Sequence, residues 1–115
     1  MSAAVRQLLA DAASEVQGLS ISPYFSQLNI KPGHGFVRID RIEYPNRFGP
    51  IFRWSVVTVL PGDSAKAEKY IDETVPALVD ALSPHLAVDE ARPQQLSITD
   101  VGLLPCVFIN GHREE

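Results

Sequence analysis

Residues 51–82, IFRWSVVTVLPGDSAKAEKYIDETVPALVDAL, decide the fold, because they read as a buried strand, a tight turn and a long helix. Apolar and polar residues alternate from Phe52 to Val56, which is typical of a strand with one buried face. From Val57 to Leu60 the alternation gives way to a nearly continuous apolar run. Such a run predicts a central strand that is covered on both faces.

The helix that follows is predicted from the residues that end the strand, from a capping residue and from the spacing of its apolar side chains. Pro61-Gly62 ends the strand, and Asp63 or Ser64 can accept a hydrogen bond from a free N–H of the first helical turn. Pro76 predicts a kink in this helix. Steps of three and four place one apolar stripe on a single helix face. The stripe consists of Ala67, Tyr70, Ile71, Thr74, Val75, Leu78, Val79 and Leu82.

Upstream of this unit, the pattern predicts a helix over residues 3–17, which ends at a glycine. Residues 19–35 read as an irregular connection that is rich in proline and glycine. Residues 36–44 read as a strand whose apolar parity changes midway, so we expect a β-bulge near Asp40-Arg41. With the loop at residues 45–50, residues 36–60 form a predicted hairpin.

Downstream, residues 83–84 close the helix and residues 85–93 read as a loop. Strands are predicted over residues 94–101 and 103–110, with Pro105 indicating an edge position or a bulge. Residues 111–115 read as a frayed polar tail. The order helix–strand–strand–helix–strand–strand predicts one α+β domain over residues 1–115, with helices packed on a mainly antiparallel sheet.

Composition limits the function classes. The chain has 115 residues, a net charge of −4 and one cysteine. The acidic balance disfavours a dedicated nucleic-acid binder, and no apolar run reaches the ~20 residues of a membrane helix. A single cysteine and the lack of a recognisable secretion signal lead us to expect an intracellular folding compartment.

Charge is divided along the chain. Residues 31–53 carry five basic and two acidic side chains, whereas residues 63–90 carry two basic and seven acidic ones. One interpretation is two ordinary solvated faces. The other is a pair of complementary surfaces that meet between copies of the protein.

Side chains that carry chemistry are sparse. His34, His85 and His112 lack metal-ligand spacing and are predicted to lie at the surface. Cys106 is predicted to be a buried, inert thiol. The sequence contains no nucleophile elbow and no phosphate loop. From the residues alone we therefore predict no catalytic, cofactor or metal site.

Several short segments resemble the tail terminator proteins of long-tailed bacteriophages, especially those of actinobacterial phages. The resemblance covers most of the chain after residue 30. It rests on Lys31-Pro32, the segment RIEYP at 41–45, the segment VLPGD at 59–63, the helix at 65–82, and the closing strands with Pro105 and Val107.

The resemblance implies a non-enzymatic virion protein of α+β fold that assembles as a ring, commonly of six copies. Such a ring caps the tail tube, ends its growth and meets the neck proteins on the head side. It implies a location at the head-proximal end of the tail after assembly in the host cytoplasm. Two alternatives are a phage neck or tail-completion protein and a small cytoplasmic α+β enzyme or ligand-binding domain.

The resemblance supplies no motif of functional residues, so our candidate interface residues come from charge and expected exposure. The loop at 45–50 sits at the hairpin tip, where two prolines restrict the backbone and a phenylalanine falls outside the strand pattern. The candidates for subunit or partner contact are Arg38, Arg41, Arg47, Phe48, Arg53, Glu68 and Asp72.

Overall fold

The computed structural model describes residues 2–26, 30–45 and 49–114, which form two α-helices and five β-strands. In chain order these are α1 Ser2–Ser14, β1 Ser20–Ser22, β2 His34–Glu43, β3 Ile51–Val59, α2 Ser64–Leu82, β4 Ala87–Ile98 and β5 Gly102–Glu114.

All five strands belong to one sheet in the order β1-β2-β3-β5-β4. The pair β1–β2 is parallel, and the pairs β2–β3, β3–β5 and β4–β5 are antiparallel. The chain is therefore α+β with a mixed sheet, which agrees with the predicted class. The predicted order of elements holds except that β1 was not predicted.

The β2–β3 hairpin confirms the central prediction. β3 lies in the middle of the sheet, and residues 54–60 are all buried. The register of β2 against β3 shifts between Ile39 and Arg41, which confirms the expected bulge. Because the bulge adds one residue to β2, the side chains on either side of it regain a common face.

The parallel strand β1 lies within the segment predicted to be irregular, so that prediction is wrong for residues 20–22. Its first N–H, from Ser20, donates to the Gly33 carbonyl at 2.9 Å. Gly33 adopts a φ of 87°, and a Cβ there would lie 2.6 Å from the Gly18 carbonyl oxygen. The close approach of these two chain segments therefore requires glycine.

Helix α1 ends earlier than predicted. The N–H of Glu15 donates to Ala12 and that of Val16 donates to Ala13. These bonds to the third preceding residue tighten the end of the helix. The chain then turns at Gly18, whose φ is 86°.

The C-terminal hairpin corrects three predictions. β4 starts at Ala87, inside the predicted loop, and β5 continues to Glu114, through the predicted tail. β5 lies between β3 and β4, so it is not the edge strand. Pro93 lies on the edge strand β4, the position in a sheet where proline is tolerated. Pro105 lies just outside the terminal β3–β5 pair, Val59 with Cys106, and its carbonyl accepts the Leu60 N–H at 2.8 Å.

Alternation along the strands divides the core into two layers. The inner face of the sheet packs against both helices, where Leu9, Trp54, Leu78 and Leu82 are fully buried. The outer face is the side away from the helices. It carries a smaller buried cluster of Phe36, Val57, Val59, Cys106 and Phe108.

Candidate interaction surfaces

Three of the predicted arginines lie together on the outer face, and we call this group the arginine face (Arg38, Arg41, Arg53). Arg41 pairs directly with Arg53 in the β2–β3 register, and Arg38 pairs with Ser55. Arg38 and Arg41 are three residues apart and would face opposite sides of a regular strand. The bulge between them is what brings both onto one face.

Arg53 is the centre of an ion-pair network. Its Nε donates to Glu43 Oε1, and its Nη1 lies 3.3 Å from Asp89 Oδ2. The same Asp89 oxygen lies 3.0 Å from His112 Nδ1. These carboxylates offset much of the positive charge of Arg53. The role of Arg53 in subunit or partner contact stays a prediction.

The other two arginines are placed differently. Arg41 Nε is 3.9 Å from Glu43 Oε2, and the Arg41 side chain is mostly exposed. The guanidinium of Arg38 lies 4.8 Å from the ring centroid of Phe108 and is half-buried. Arg41 is therefore the most accessible cation of the arginine face, while Arg38 also covers the outer cluster.

A hydrogen-bonded row extends this face across the sheet. Ser55 Oγ donates to Asn110 Oδ1 at 2.6 Å, and Asn110 Nδ2 donates to Glu90 Oε1 at 3.0 Å. The three residues occupy consecutive cross-strand positions on β3, β5 and β4. Asp89, Glu90 and His112 were not predicted to join this network, because they fall in the predicted loop and the predicted tail.

The acidic candidates lie on the other side of the molecule. Glu68 and Asp72 are exposed residues of α2, four positions apart, so they share one side of the helix. Since α2 packs on the inner face and the arginine face is on the outer face, the sheet separates the two sets of charges. One chain thus presents two unlike charged surfaces that do not meet each other.

The last two candidates, Arg47 and Phe48, lie outside the described residues. The end of β2 next to them exposes apolar side chains that the sequence analysis had not singled out. Tyr44 is 73% exposed and Ile42 is 39% exposed. Among the described residues of the chain, Tyr44 is the large hydrophobic side chain with the greatest exposure.

A groove and a cavity beside the C-terminal hairpin are lined partly by apolar residues. A groove of about 350 Å³ separates α2 from the hairpin; its lining includes Leu60, Ala67, Ile71, Pro93 and Pro105. We call it the helix–hairpin groove. A cavity of about 260 Å³ lies between Phe25, Phe36 and residues 96–99.

Two titratable groups are perturbed by burial. Burial raises the pKa of the Cys106 thiol from 9.0 to about 11. Burial also raises the pKa of Tyr70, and a side-chain hydrogen bond with Thr74 opposes that rise. Cys106 therefore stays protonated at neutral pH, which disfavours nucleophilic reactivity of this thiol.

No family model matches the chain, and no curated protein matches it. Within residues 2–26, 30–45 and 49–114, no helix is both long and apolar enough to cross a membrane. In the same part of the chain, no three or more His, Cys, Asp or Glu side chains are grouped to hold a metal ion.

Proposed function

We propose that this protein is a non-enzymatic phage tail terminator. In this role, copies of the chain assemble head to tail into a ring, six in number on the family's pattern. The ring caps the tail tube, stops its growth and contacts the neck proteins. The proposal draws on the resemblance of residues 31–107 to tail terminators and on the placement of the charged surfaces.

The observation that carries the proposal is the separation of the arginine face from the acidic side of α2. A ring needs a heterologous interface, in which two different patches of each copy meet. Arg41 on the sheet side and Glu68 with Asp72 on the helix side are exposed and opposite in charge. Opposite charge favours the encounter of unlike patches and disfavours pairing of like patches.

A second candidate function is binding of a small apolar ligand. It is favoured by the cavity between Phe25, Phe36 and residues 96–99, whose volume is about 260 Å³. That volume is just below the range of roughly 300–1,000 Å³ that is typical of ligand pockets. The cavity therefore supports ligand binding less strongly than the charged surfaces support assembly.

The proposed function is tested in two steps with the purified chain. Native mass spectrometry and negative-stain electron microscopy are expected to show a closed ring with a central opening. Adding the protein to polymerising tail-tube subunits of its phage is expected to give shorter tubes with a cap at one end. Tubes of unchanged length and without a cap contradict the terminator function.

A further inference from the structure

Most of the length of the two sheet edges carries features that prevent pairing with another strand. β1, at one edge, has three residues. The part of β2 that β1 leaves uncovered, residues 37–43, contains the bulge and four charged side chains. At the other edge, β4 has a register shift between Val88 and Glu90, and residues 89–93 include three charged side chains and a proline. Short strands, bulges, charges and proline all protect a sheet edge from adding a strand.

Residues 94–98 of β4 have none of these protecting features. The segment QQLSI contains no charge, no proline and no register shift. Gln94, Gln95 and Ser97 are exposed, and no described strand pairs with β4 on the side away from β5. This segment is therefore the part of the described edges that is best suited to pair with an added strand.

The same segment lies at the projecting end of the C-terminal hairpin. The β3–β5 pairing ends at Cys106, which is opposite Gln94, so β4 and β5 continue beyond β3 as a ribbon of two strands. A two-stranded ribbon is only marginally stable by itself in water. Leu96 and Leu104 form a cross-strand pair next to the outer cluster, and both are only half-buried. An added strand would supply hydrogen bonds and further apolar burial at this end of the sheet.

We propose that residues 94–98 pair antiparallel with the same residues of a second copy of this chain, about a two-fold axis that passes beside Leu96. In this register Leu96 is opposite Leu96 of the other copy, and Gln95 of each copy is opposite Ser97 of the other. The axis is perpendicular to the sheet, so the two five-stranded sheets join edge to edge with their outer faces on the same side.

The first observation that selects a second copy is the position of the leucines. Leu96 is paired with Leu104 within each chain. Pairing about Leu96 therefore places the two leucines of one copy in line with the two of the other, on the outer face. The resulting apolar row connects the outer clusters of the two copies, to which these half-buried leucines already belong.

The second observation is the arrangement of the flanking charges. The nearest charged residues on the two sides of the segment are Arg92, four residues before Leu96, and Asp100, four residues after it. Both are exposed, and Asp100 lies in the turn directly after β4. Antiparallel pairing about Leu96 brings Arg92 of each copy to the end of the segment where Asp100 of the other lies. An unrelated strand would need the same order of charges, whereas every copy of this chain carries it.

This contact is distinct from the one that a ring requires. Here the same surface of both copies meets, so the interface is isologous and closes after two copies. The inference therefore goes beyond the terminator function and does not depend on it.

Disulfide trapping tests the register. Gln95→Cys and Ser97→Cys chains are prepared separately, mixed and oxidised. Opposite residues of antiparallel strands have Cβ atoms ~4.5–5.5 Å apart, close to the reach of a disulfide, whereas diagonal neighbours are ~7–8 Å apart. We therefore expect a covalent dimer joining residues 95 and 97 in the mixture and little from either chain alone. The wild-type chain is the control, since Cys106 is buried.

A charge placed on the edge tests whether this segment is the contact. Gln95→Lys is expected to weaken dimerisation by about tenfold in sedimentation equilibrium, because an edge lysine opposes strand addition. Gln7→Lys is the matched control: it makes the same chemical change at an exposed position of α1. It is expected to leave dimerisation unchanged.

A double-mutant cycle tests the flanking charges. Arg92→Gln and Asp100→Asn are each expected to weaken the dimer by about threefold, and the double variant is expected to be no weaker than either single one. Residue 100 has a φ of 67°, which asparagine tolerates, so the turn is kept.

The outcomes separate this inference from the proposed function. A dimer that gives no 95–97 disulfide, or that Gln95→Lys leaves intact, overturns the inference. A chain that is monomeric at every concentration overturns it as well, even if its β4 edge binds an unrelated extended peptide. A ring that caps tubes without a 95–97 disulfide overturns this contact and leaves the terminator function standing. Thermal unfolding of each variant verifies that the subunit is folded.

Discussion

At the residue scale, Arg6 joins three parts of the fold. Its Nη1 donates to the Val37 carbonyl at 2.8 Å and to the Pro23 carbonyl at 3.3 Å. Its guanidinium also lies 4.6 Å from the Tyr24 ring and 5.5 Å from the Trp54 ring. The pairing of β1 with β2 ends one residue before Val37. Arg6 therefore supplies a donor to a backbone carbonyl that lies beyond the reach of the short strand β1.

We predict that Arg6→Ala lowers the free energy of unfolding by about 2–3 kcal/mol, because it removes charge-assisted hydrogen bonds and leaves the Val37 carbonyl without this donor. Urea titration measures the change. Arg92→Ala is the matched control: Arg92 is exposed and has an ion pair at 3.5 Å with Glu90. Its loss is expected to cost ~1 kcal/mol or less. Equal costs for the two variants contradict the role of Arg6.

Cys106 gives a prediction about alkaline stability. Its folded pKa of about 11 lies above the ordinary value of 9.0, so the folded chain holds this proton more tightly than the unfolded chain. The contribution to stability is fully present below pH 9 and is lost as the pH rises from 9 through 11. Burial also raises the pKa of Tyr70, so the effect of Cys106 is isolated as the difference between wild type and Cys106→Ala. A difference that is constant from pH 8 to 11 contradicts the prediction.

At the element scale, the apolar stripe of α2 is buried unevenly along the helix. Asp63 caps the helix by accepting the Lys66 N–H at 3.1 Å, and Pro76 lies within one uninterrupted helix. Of the apolar stripe, only Leu78 and Leu82 are fully buried, and the other members are half-buried. The C-terminal half of α2 therefore holds the core, while its N-terminal half borders the helix–hairpin groove.

We predict that Leu78→Ala destabilises the fold by about 2–5 kcal/mol, because Leu78 is 0% exposed and its truncation leaves a cavity. The matched control is Leu103→Ala, which makes the same chemical change near the tip of the C-terminal hairpin. Leu103 is 64% exposed, so its truncation is expected to cost less than about 1 kcal/mol. If the two variants unfold at the same denaturant midpoint, the assignment of Leu78 to the core is wrong.

At the scale of the whole molecule, the sheet separates two charged surfaces, one on its outer face and one on the helix layer. The outer face carries paired charges around Arg53, and the helix layer exposes Glu68 and Asp72. The subunit is elongated, with principal extents of 47 × 31 × 20 Å. An elongated subunit with unlike surfaces can meet its neighbours through different patches, as a heterologous assembly requires.

We predict that the assembly depends on ionic strength. The Debye length falls from about 10 Å at 0.1 M salt to about 3 Å at 1 M, which weakens attraction between exposed charges. Sedimentation velocity at about 0.05, 0.15 and 1 M NaCl is expected to show progressive dissociation as the salt concentration rises. If the assembly has the same size at all three salt concentrations, apolar contacts stabilise it and the charge-based interface is contradicted.

The sequence by itself determined the elements whose residues repeat locally. β3 and α2 are encoded by period-two and helical patterns, and the bulge near Asp40 follows from a change of parity within β2. Burial of Cys106 was also predictable, because its neighbours Val107 and Phe108 are apolar. These features depend on residues close in the chain, so one sequence suffices to predict them.

Only the tertiary structure decided the remaining features, because they depend on residues far apart in the chain. Apolar and polar residues do not alternate clearly along β4. Asp89 is the extra residue at the register shift, and Pro93 resembles a residue that ends a strand although it lies within β4. The segment before β1 approaches Gly33 so closely that a Cβ there would lie 2.6 Å from the Gly18 carbonyl oxygen. Glu43 and Asp89 neutralise Arg53 through pairing across strands that no local pattern specifies. The sequence determined which residues form the central strand and helix, and tertiary contacts decided which charges and apolar side chains remain exposed.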